Sequence, residues 1–483
     1  MSSQAKSGRV VPVPVVAIIG GGFTGAAVAL HLAAKAEAHR IRIVVFEPRR
    51  RIGAGLAYDT DEPAHRINVP AGRMSLFPDD PEHFLRWIED RSAVADDTGA
   101  TGPDGLVYPR RRLFGDYVHS TLSPLIESGR VEHRRAAITA IEPSDGRRWT
   151  VADDGGNRLD ADFVVVAATH PAPDMPRTLN ALSGDPRLVA DTTKPGALDA
   201  IGKDDRILVI GNGLTSADVI ATLSGRGHTG HITAISRRGL RSRGHPAMVQ
   251  EPFGDFVAQP PKTASELLLR TKHLLLEAAA SGLSWHAVLD ALRGQGQQIW
   301  QALPLAERRR IVRHLRPYWD VHRFRIAPQV EAVLDEAVAA GRLDVIAGSV
   351  ASALPQDHEI RCVLRLRGRK EPRLIDVDAV VVTTGPAHGA VLDAQNWARA
   401  LAKKGLLAMC PTGLGLSCDR RSRALRADGT PVEGLYVAGP LARGTFGELM
   451  GLPQVTEHAA LVAEELACAL GKLPEADRPG PPH

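Results

Sequence analysis

The sequence predicts an α/β fold with two βαβ units of one design, each followed by a β-meander, and a helical insert within the second. Three observations carry this. Two glycine-rich turns each join a β-branched apolar run to a small-residue helix, a repeated strand pattern follows each turn, and a long helical stretch interrupts the second unit.

The first unit opens at Val15-Val16-Ala17-Ile18-Ile19, a short apolar run that reads as a buried parallel strand. Gly20-Gly21-Gly22-Phe23-Thr24-Gly25 fits Gly-x-Gly-x-x-Gly, and an alanine-rich helix follows from Ala26 to Ala38. Ile41 to Phe46 forms the second strand and ends at Glu47, 22 residues beyond Gly25. Gly20 permits the tight turn, Gly22 lets a pyrophosphate approach the backbone, and Gly25 lets helix and strand pack closely. The positive end of the helix dipole faces the phosphates, and Glu47 accepts hydrogen bonds from ribose hydroxyls. Strand, turn, helix and acid in this register predict a dinucleotide site.

The second unit repeats the design. Arg206 to Ile210 leads into Gly211-Asn212-Gly213-Leu214-Thr215-Ser216-Ala217, with a small residue at the third glycine position and a helix through Leu223. His231 to Ser236 is the matching second strand, and it ends in Arg237-Arg238 where the first unit has Glu47. Guanidinium groups bind a 2′-phosphate that a carboxylate would repel, so NADPH is expected here. The plainer reading of Arg237-Arg238 is a solvated pair at a strand end.

Downstream, Gly129-Arg130-Val131-Glu132 precedes alternating strands and the closing run Asp160 to Thr169. Gly341-Arg342-Leu343-Asp344 likewise precedes strands and the closing run Asp376 to Gly385. The expected architecture is therefore two Rossmann-like dinucleotide-binding domains, for FAD and NADPH, with β-meanders and a helical insert. Residues 1–175 form the first part of the FAD domain, 176–375 the NADPH domain with its insert at about 260–340, and 376–483 the second part of the FAD domain. Insert helices are expected at Ala264–Ala280, Ser284–Leu292, Leu305–Tyr318 and Ala327–Ala340. A last helix starts at Pro453 and runs to Leu470, with Gly471 at its end.

Composition narrows the function. The 483 residues carry 59 basic and 55 acidic side chains, a net charge of +4 that gives no surplus for nucleic acid. Four cysteines, Cys362, Cys410, Cys418 and Cys468, are too few for a disulfide scaffold and never spaced Cys-x-x-Cys. No apolar run has the length of a membrane span, no metal-ligand spacing occurs among the 18 His, and Met1 to Arg9 is polar. A cytoplasmic protein with a small-molecule substrate is expected, without metal, membrane or nucleic acid; a homo-oligomer stays open.

Further segments resemble a known family. Gly53-Ala54-Gly55-Leu56-Ala57-Tyr58, Ile67 to Ser75, Pro109 to Gly115, Gly211 to Thr215, Ser236 to Leu240, Tyr318 to Arg323 and Gly439 to Thr445 resemble, in order, the bacterial FAD/NAD(P)-binding protein family. That family is related to the two-dinucleotide flavin monooxygenases, including the ornithine and lysine N-hydroxylases. The resemblance implies FAD on Gly20, Gly22, Gly25 and Glu47, its isoalloxazine lined by Asn68 to Ser75 with Met74, and closed over by the turn at Gly439. NADPH falls to Gly211, Gly213, Arg237 and Arg238. Two departures stand out: the first closing strand ends Ala168-Thr169-His170 where relatives place glycine, and Ala438-Gly439-Pro440 replaces the Gly-Asp that bonds the ribityl chain in many two-dinucleotide enzymes.

The function expected is an FAD-dependent, NADPH-using oxidoreductase, and foremost a monooxygenase in which O₂ adds at flavin C4a and a small polar or amino-acid-like substrate is hydroxylated. The alternatives are a flavin reductase or dehydrogenase serving another acceptor, and a nucleotide-binding regulatory protein that turns nothing over. In a flavin monooxygenase the cofactor carries the reactive chemistry, so few protein catalysts are expected. The candidates are His245, His322 and Arg323.

Overall fold

A computed structural model describes residues 13–35, 41–144, 148–168, 171, 173, 175–385 and 388–472. In the first unit β1 (Val15–Ile19) turns into helix α1 (Phe23–Lys35), which returns to β2 (Arg42–Phe46); helix α2 (Arg111–Glu127) then leads to β3 (Val131–Arg134). A meander of β4 (Ile138–Ser144), β5 (Arg148–Asp153) and β6 (Arg158–Ala161) feeds the closing strand β7 (Phe163–Val166). The second unit contains β8 (Leu188–Val189), β9 (Ile207–Ile210), helix α3 (Leu214–Gly225) and β10 (Ile232–Ser236).

The insert follows as helices α4 (Ala264–Ala280), α5 (Trp285–Gly294), α6 (Gly296–Ala302), α7 (Leu305–His314) and α8 (Arg316–Arg323). Helix α9 (Pro328–Ala339) then enters β11 (Leu343–Pro355), and β12 (Ile360–Leu366) and β13 (Arg373–Val377) lead to the closing strand β14 (Ala379–Val382). The chain ends its described course with β15 (Arg423–Leu425), β16 (Pro431–Val437) and helix α10 (Gln454–Leu470).

The first sheet runs β15-β16-β7-β1-β2-β3, so the C-terminal strands complete a sheet begun by the N-terminal ones. The second runs β13-β12-β11-β10-β9-β14-β8. Both contain the same parallel order of closing, first, second and third strand. The meanders differ: β4-β5-β6 stands as a separate sheet, whereas β12 and β13 extend the second sheet from the long strand β11.

Alternation along the strands sorts the cores. Val16 and Ile18 face a cluster that includes α1, while Ala17 and Ile19 face one built with Trp149 and Trp397. Ile207 and Val209 join the first of these clusters, so one apolar core runs continuously through both units. The bidentate pair Arg111–Asp218, at 2.7 and 2.8 Å, ties α2 to α3 across the same junction. No helix among the described residues is long and apolar enough to cross a membrane.

Three boundaries are corrected. The domain change expected at 376 falls inside the second sheet, because β14 pairs in parallel with β9 and with β8. The insert expected to reach 340 ends at α8, because α9 is the crossover that lets β10 and β11 run parallel. The single helix expected over Leu305–Tyr318 is two, since Pro317 lacks an N–H and sits in the first turn of a new helix. Helix α6 was not foreseen, and Pro453 caps α10 from just outside its first residue.

Candidate cofactor and ligand sites

The first turn is shaped by close backbone approach. Gly20 has φ +100°, and a Cβ there would stand 2.6 Å from the O of Ala167, the residue that follows the closing strand. A Cβ on Gly25 would stand 1.9 Å from Gly20 O, so α1 lies directly on the turn. Gly22 faces Gly55, whose own Cβ would come within 2.9 Å of Gly22 Cα. Glu47 is buried at 3% exposure: Oε2 accepts from Gly21 N–H at 3.0 Å, and Oε1 accepts from the Arg49 backbone and guanidinium at 3.1 Å. A carboxylate offers about four lone-pair positions, so capacity remains for a ribose.

Gly20, Gly22, Glu47 and Gly55 wall a cleft of about 860 Å³ together with Tyr58, Pro440 and, from α3, Thr215 and Asp218. A bare glycine backbone, a helix N-terminus and a buried acid at one end fit an adenine dinucleotide.

The Asn68 to Ser75 segment is fixed from two distant places. It makes a 3-10 turn at Ala71–Arg73, and Met74 and Ser75 are buried. The Thr456 hydroxyl, on the first turn of α10, donates to Ser75 O at 2.7 Å, and His245 Nε2–H donates to Asn68 O at 2.9 Å. The Gly439 turn is held similarly. Its N–H donates to His458 Nδ1 at 3.1 Å, and His458 Nε2 meets the Ser422 hydroxyl at 2.9 Å. Burial pushes His458 down to about 3, so the ring is neutral, with Nδ1 the acceptor and Nε2 the donor. A Cβ on Gly439 would meet Thr24 Oγ1 at 2.4 Å, which sets this turn on the glycine-rich loop. Thr456 and His458 escaped sequence reasoning, since a threonine or histidine inside an apolar helix carries no motif, and Thr24 occupies one of the unspecified positions of the glycine motif.

In the second unit Gly211 has φ +124°, while a Cβ on Gly213 would meet nothing within 4 Å. That opening leaves room for phosphates at the N-terminus of α3. Asn212 Nδ2 donates to Ser236 Oγ at 3.1 Å, and its buried Oδ1 lacks a protein partner. The register corrects one assignment: Ile19 pairs with Phe46 and Ile210 with Ile235, so the counterpart of Glu47 is Ser236. Arg237 and Arg238 follow it. Arg237 is exposed, and Arg238 lies 5.4 Å from the Tyr318 ring of α8, a cation–π contact. A free acceptor, an open glycine and two guanidiniums fit a phosphorylated nucleotide.

The three catalytic candidates part company. His245 alone reaches the Asn68 segment, and burial drives it down to about 4, with Arg325 adding to the effect. His322 sits on α8 beneath Trp285, its Nδ1–H donating to Tyr318 O at 2.7 Å. Arg323 is buried in an ion pair with Glu448 at 2.5 Å. His170 lies outside the described residues.

Comparison with known proteins agrees with this geometry. Residues 17–171 match the FAD-NAD(P)-binding family model. No curated protein matches the chain in sequence. Among solved structures the chain is similar to the reduced form of ornithine hydroxylase from Pseudomonas aeruginosa, with TM-score 0.64 and 18% identity over 95% of this chain and 100% of that one. It is also similar to the ornithine N-hydroxylase of Kutzneria sp. 744, described with reduced FAD, NADP⁺ and L-ornithine: TM-score 0.63, 18% identity, 95% of this chain and 99% of that one. The L-lysine 6-monooxygenase of Pseudomonas syringae gives TM-score 0.62 and 20% identity over the same shares. Residues 17–171 are thus an FAD/NAD(P)-binding domain, and the chain as a whole has the fold of the two-dinucleotide flavoenzymes.

Proposed function

We propose that the chain is an FAD-dependent enzyme that oxidises NADPH and, within that class, a monooxygenase of a small polar or amino-acid-like molecule. The observation that carries this is the His245–Asn68 hydrogen bond, which joins the loop after β10 in the second unit to the Asn68 segment, which the resemblance assigns to the flavin ring. A direct link of this kind between the two units supports the reading, since hydride transfer would need their cofactors to meet.

Bound FAD would take the hydride and supply the oxygen chemistry. Gly22, the N-terminus of α1 and Glu47 would hold its pyrophosphate and ribose; Asn68, Met74, Ser75 and the Gly439 turn would hold its ring end. Gly211 and Gly213 would admit the NADPH pyrophosphate, with Arg237 and Arg238 on the 2′-phosphate. His245 carries no charge at neutral pH and its Nε2–H is spent on Asn68 O, so its work is to position that segment, not to donate protons.

Aerobic NADPH oxidation with a panel of amines and amino acids tests the reading. The expected result is substrate-dependent oxidation matched by hydroxylated product. Oxidation that always ends in free hydrogen peroxide, or that proceeds only with an added quinone or protein acceptor, would favour the reductase.

A further inference from the structure

A second cleft, of about 530 Å³, opens within the helical insert and shares no wall residue with the dinucleotide cleft. Its volume lies in the range of ligand pockets, roughly 300–1,000 Å³. Leu275 of α4, Leu289 of α5, Ile299 of α6 and Ile311 of α7 wall it, with Trp285 and Trp300. One side is different in kind: Arg316 and Trp319 of α8 meet Arg443 and Glu448 from the segment between β16 and α10.

The charge on that side is unbalanced. Arg323 and the Trp319 Nε1–H both take Glu448, at 2.5 and 3.3 Å. Arg316 takes Asp320 at 3.1 Å, and Arg443 reaches the same carboxylate only at 3.8 Å. Arg293 donates to Leu452 O at 2.6 Å and to the Gln454 side chain at 3.1 Å. Nearby Asp290 is already held bidentately by Arg325, at 2.8 and 3.1 Å. Three guanidiniums thus share two carboxylates, and the fourth, Arg293, is held by neutral acceptors.

Arg443 is 4% exposed, and its Nη1, Arg323 Nη2 and Arg293 Nε are buried without a hydrogen-bond partner; Asp320 Oδ1 also lacks one. Unpaired buried N–H groups on charged side chains are costly, so the cluster lacks an anion. Burial together with Arg323 pulls Arg293 down to about 9, the response of a cation short of counter-charge.

We propose that this cleft binds an amphipathic organic anion, with a hydrocarbon body along the apolar walls and a carboxylate head against Arg316 and Arg443. The planar guanidinium fork suits a carboxylate, and the walls away from it are mostly Leu, Ile and Trp side chains, with Thr271 and Lys272 of α4 the polar exceptions there. The ligand need not be the molecule oxidised, and its binding does not depend on bound nucleotide.

Titration of the purified chain with decanoate, decanol, decylammonium and butyrate tests this, read by calorimetry and by the fluorescence of the wall residues Trp285, Trp300 and Trp319. Decanoate should saturate one site per chain about tenfold more tightly than decanol or decylammonium, with butyrate far weaker. Arg443→Gln should reduce the preference for decanoate over decanol to about twofold, and the more exposed Arg316→Gln provides the same reading if the first variant fails to fold. Leu275→Phe should weaken both decanoate and decanol by narrowing the cleft. Equal affinity for decanoate and decanol would overturn the anionic head, and no saturable binding of either would overturn the site.

Discussion

In the first unit Gly20 N–H donates to Phe46 O and Ala167 N–H to Ile19 O, both at 2.9 Å; in the second, Gly211 N–H donates to Ile235 O and Thr383 N–H to Ile210 O, again both at 2.9 Å. The backbone makes the same turn twice, with positive φ at the leading glycine and a closing strand too near for a side chain. What changes is what lines the turn. Gly25 gives way to Ser216, buried at 2%, so α3 stands far enough from its turn to admit a side chain where α1 does not. Glu47 gives way to Ser236, with two arginines following. On the proposed function, the shared turn would accept a pyrophosphate in either unit, and the side chains at the strand end would decide which nucleotide enters.

The sharpest way to break the comparison is Gly25→Ala. Its Cβ would lie 1.9 Å from backbone oxygen, so α1 must shift. The expected outcome is loss of flavin and about 3 kcal/mol of stability, read by absorbance of the purified protein and by urea unfolding.

The link between the units has its own signature. His245 titrates at about 4 when folded, below the ordinary histidine value of 6.5. Its contribution is therefore complete above pH 6.5 and lost as pH falls from there towards 4. By linkage this amounts to about 3 kcal/mol at the acid end. His245→Gln should flatten that part of a stability–pH curve, and an unchanged acid limb would remove His245 as its source.

Arg238→Ala addresses nucleotide choice. Loss of one charge-assisted bond, about 1.5–3 kcal/mol, should raise the KM for NADPH roughly 10–100-fold and leave NADH nearly unchanged. Equal losses for both would sink the 2′-phosphate assignment. Ser216→Ala, at the position where Gly25 tolerates nothing, should change stability by less than about 1 kcal/mol.

Both turns were legible in sequence because strand, glycine spacing and helix are contiguous there, each with one dominant physical reason. The match of closing strands β7 and β14 was legible too, from their apolar runs. The one-residue offset between Glu47 and Arg237 was not, because a strand's last paired residue is set by register with its neighbour. Nor were Thr456 and His458, which act on Ser75 and Gly439 through α10 docking on α1, a contact between residues more than four hundred positions apart. The unbalanced arginine cluster was hidden likewise: Arg323 is one of the catalytic candidates in the sequence, but Glu448, from another part of the chain, pairs with it.

The central claim, that one unit holds a flavin and the other brings it NADPH, is tested most directly by the visible spectrum of the purified protein before and after anaerobic NADPH. One flavin per chain, bleached rapidly by NADPH and slowly by NADH, is the expected result. A colourless protein that takes up no added FAD, or a bound flavin that NADPH never bleaches, would contradict it.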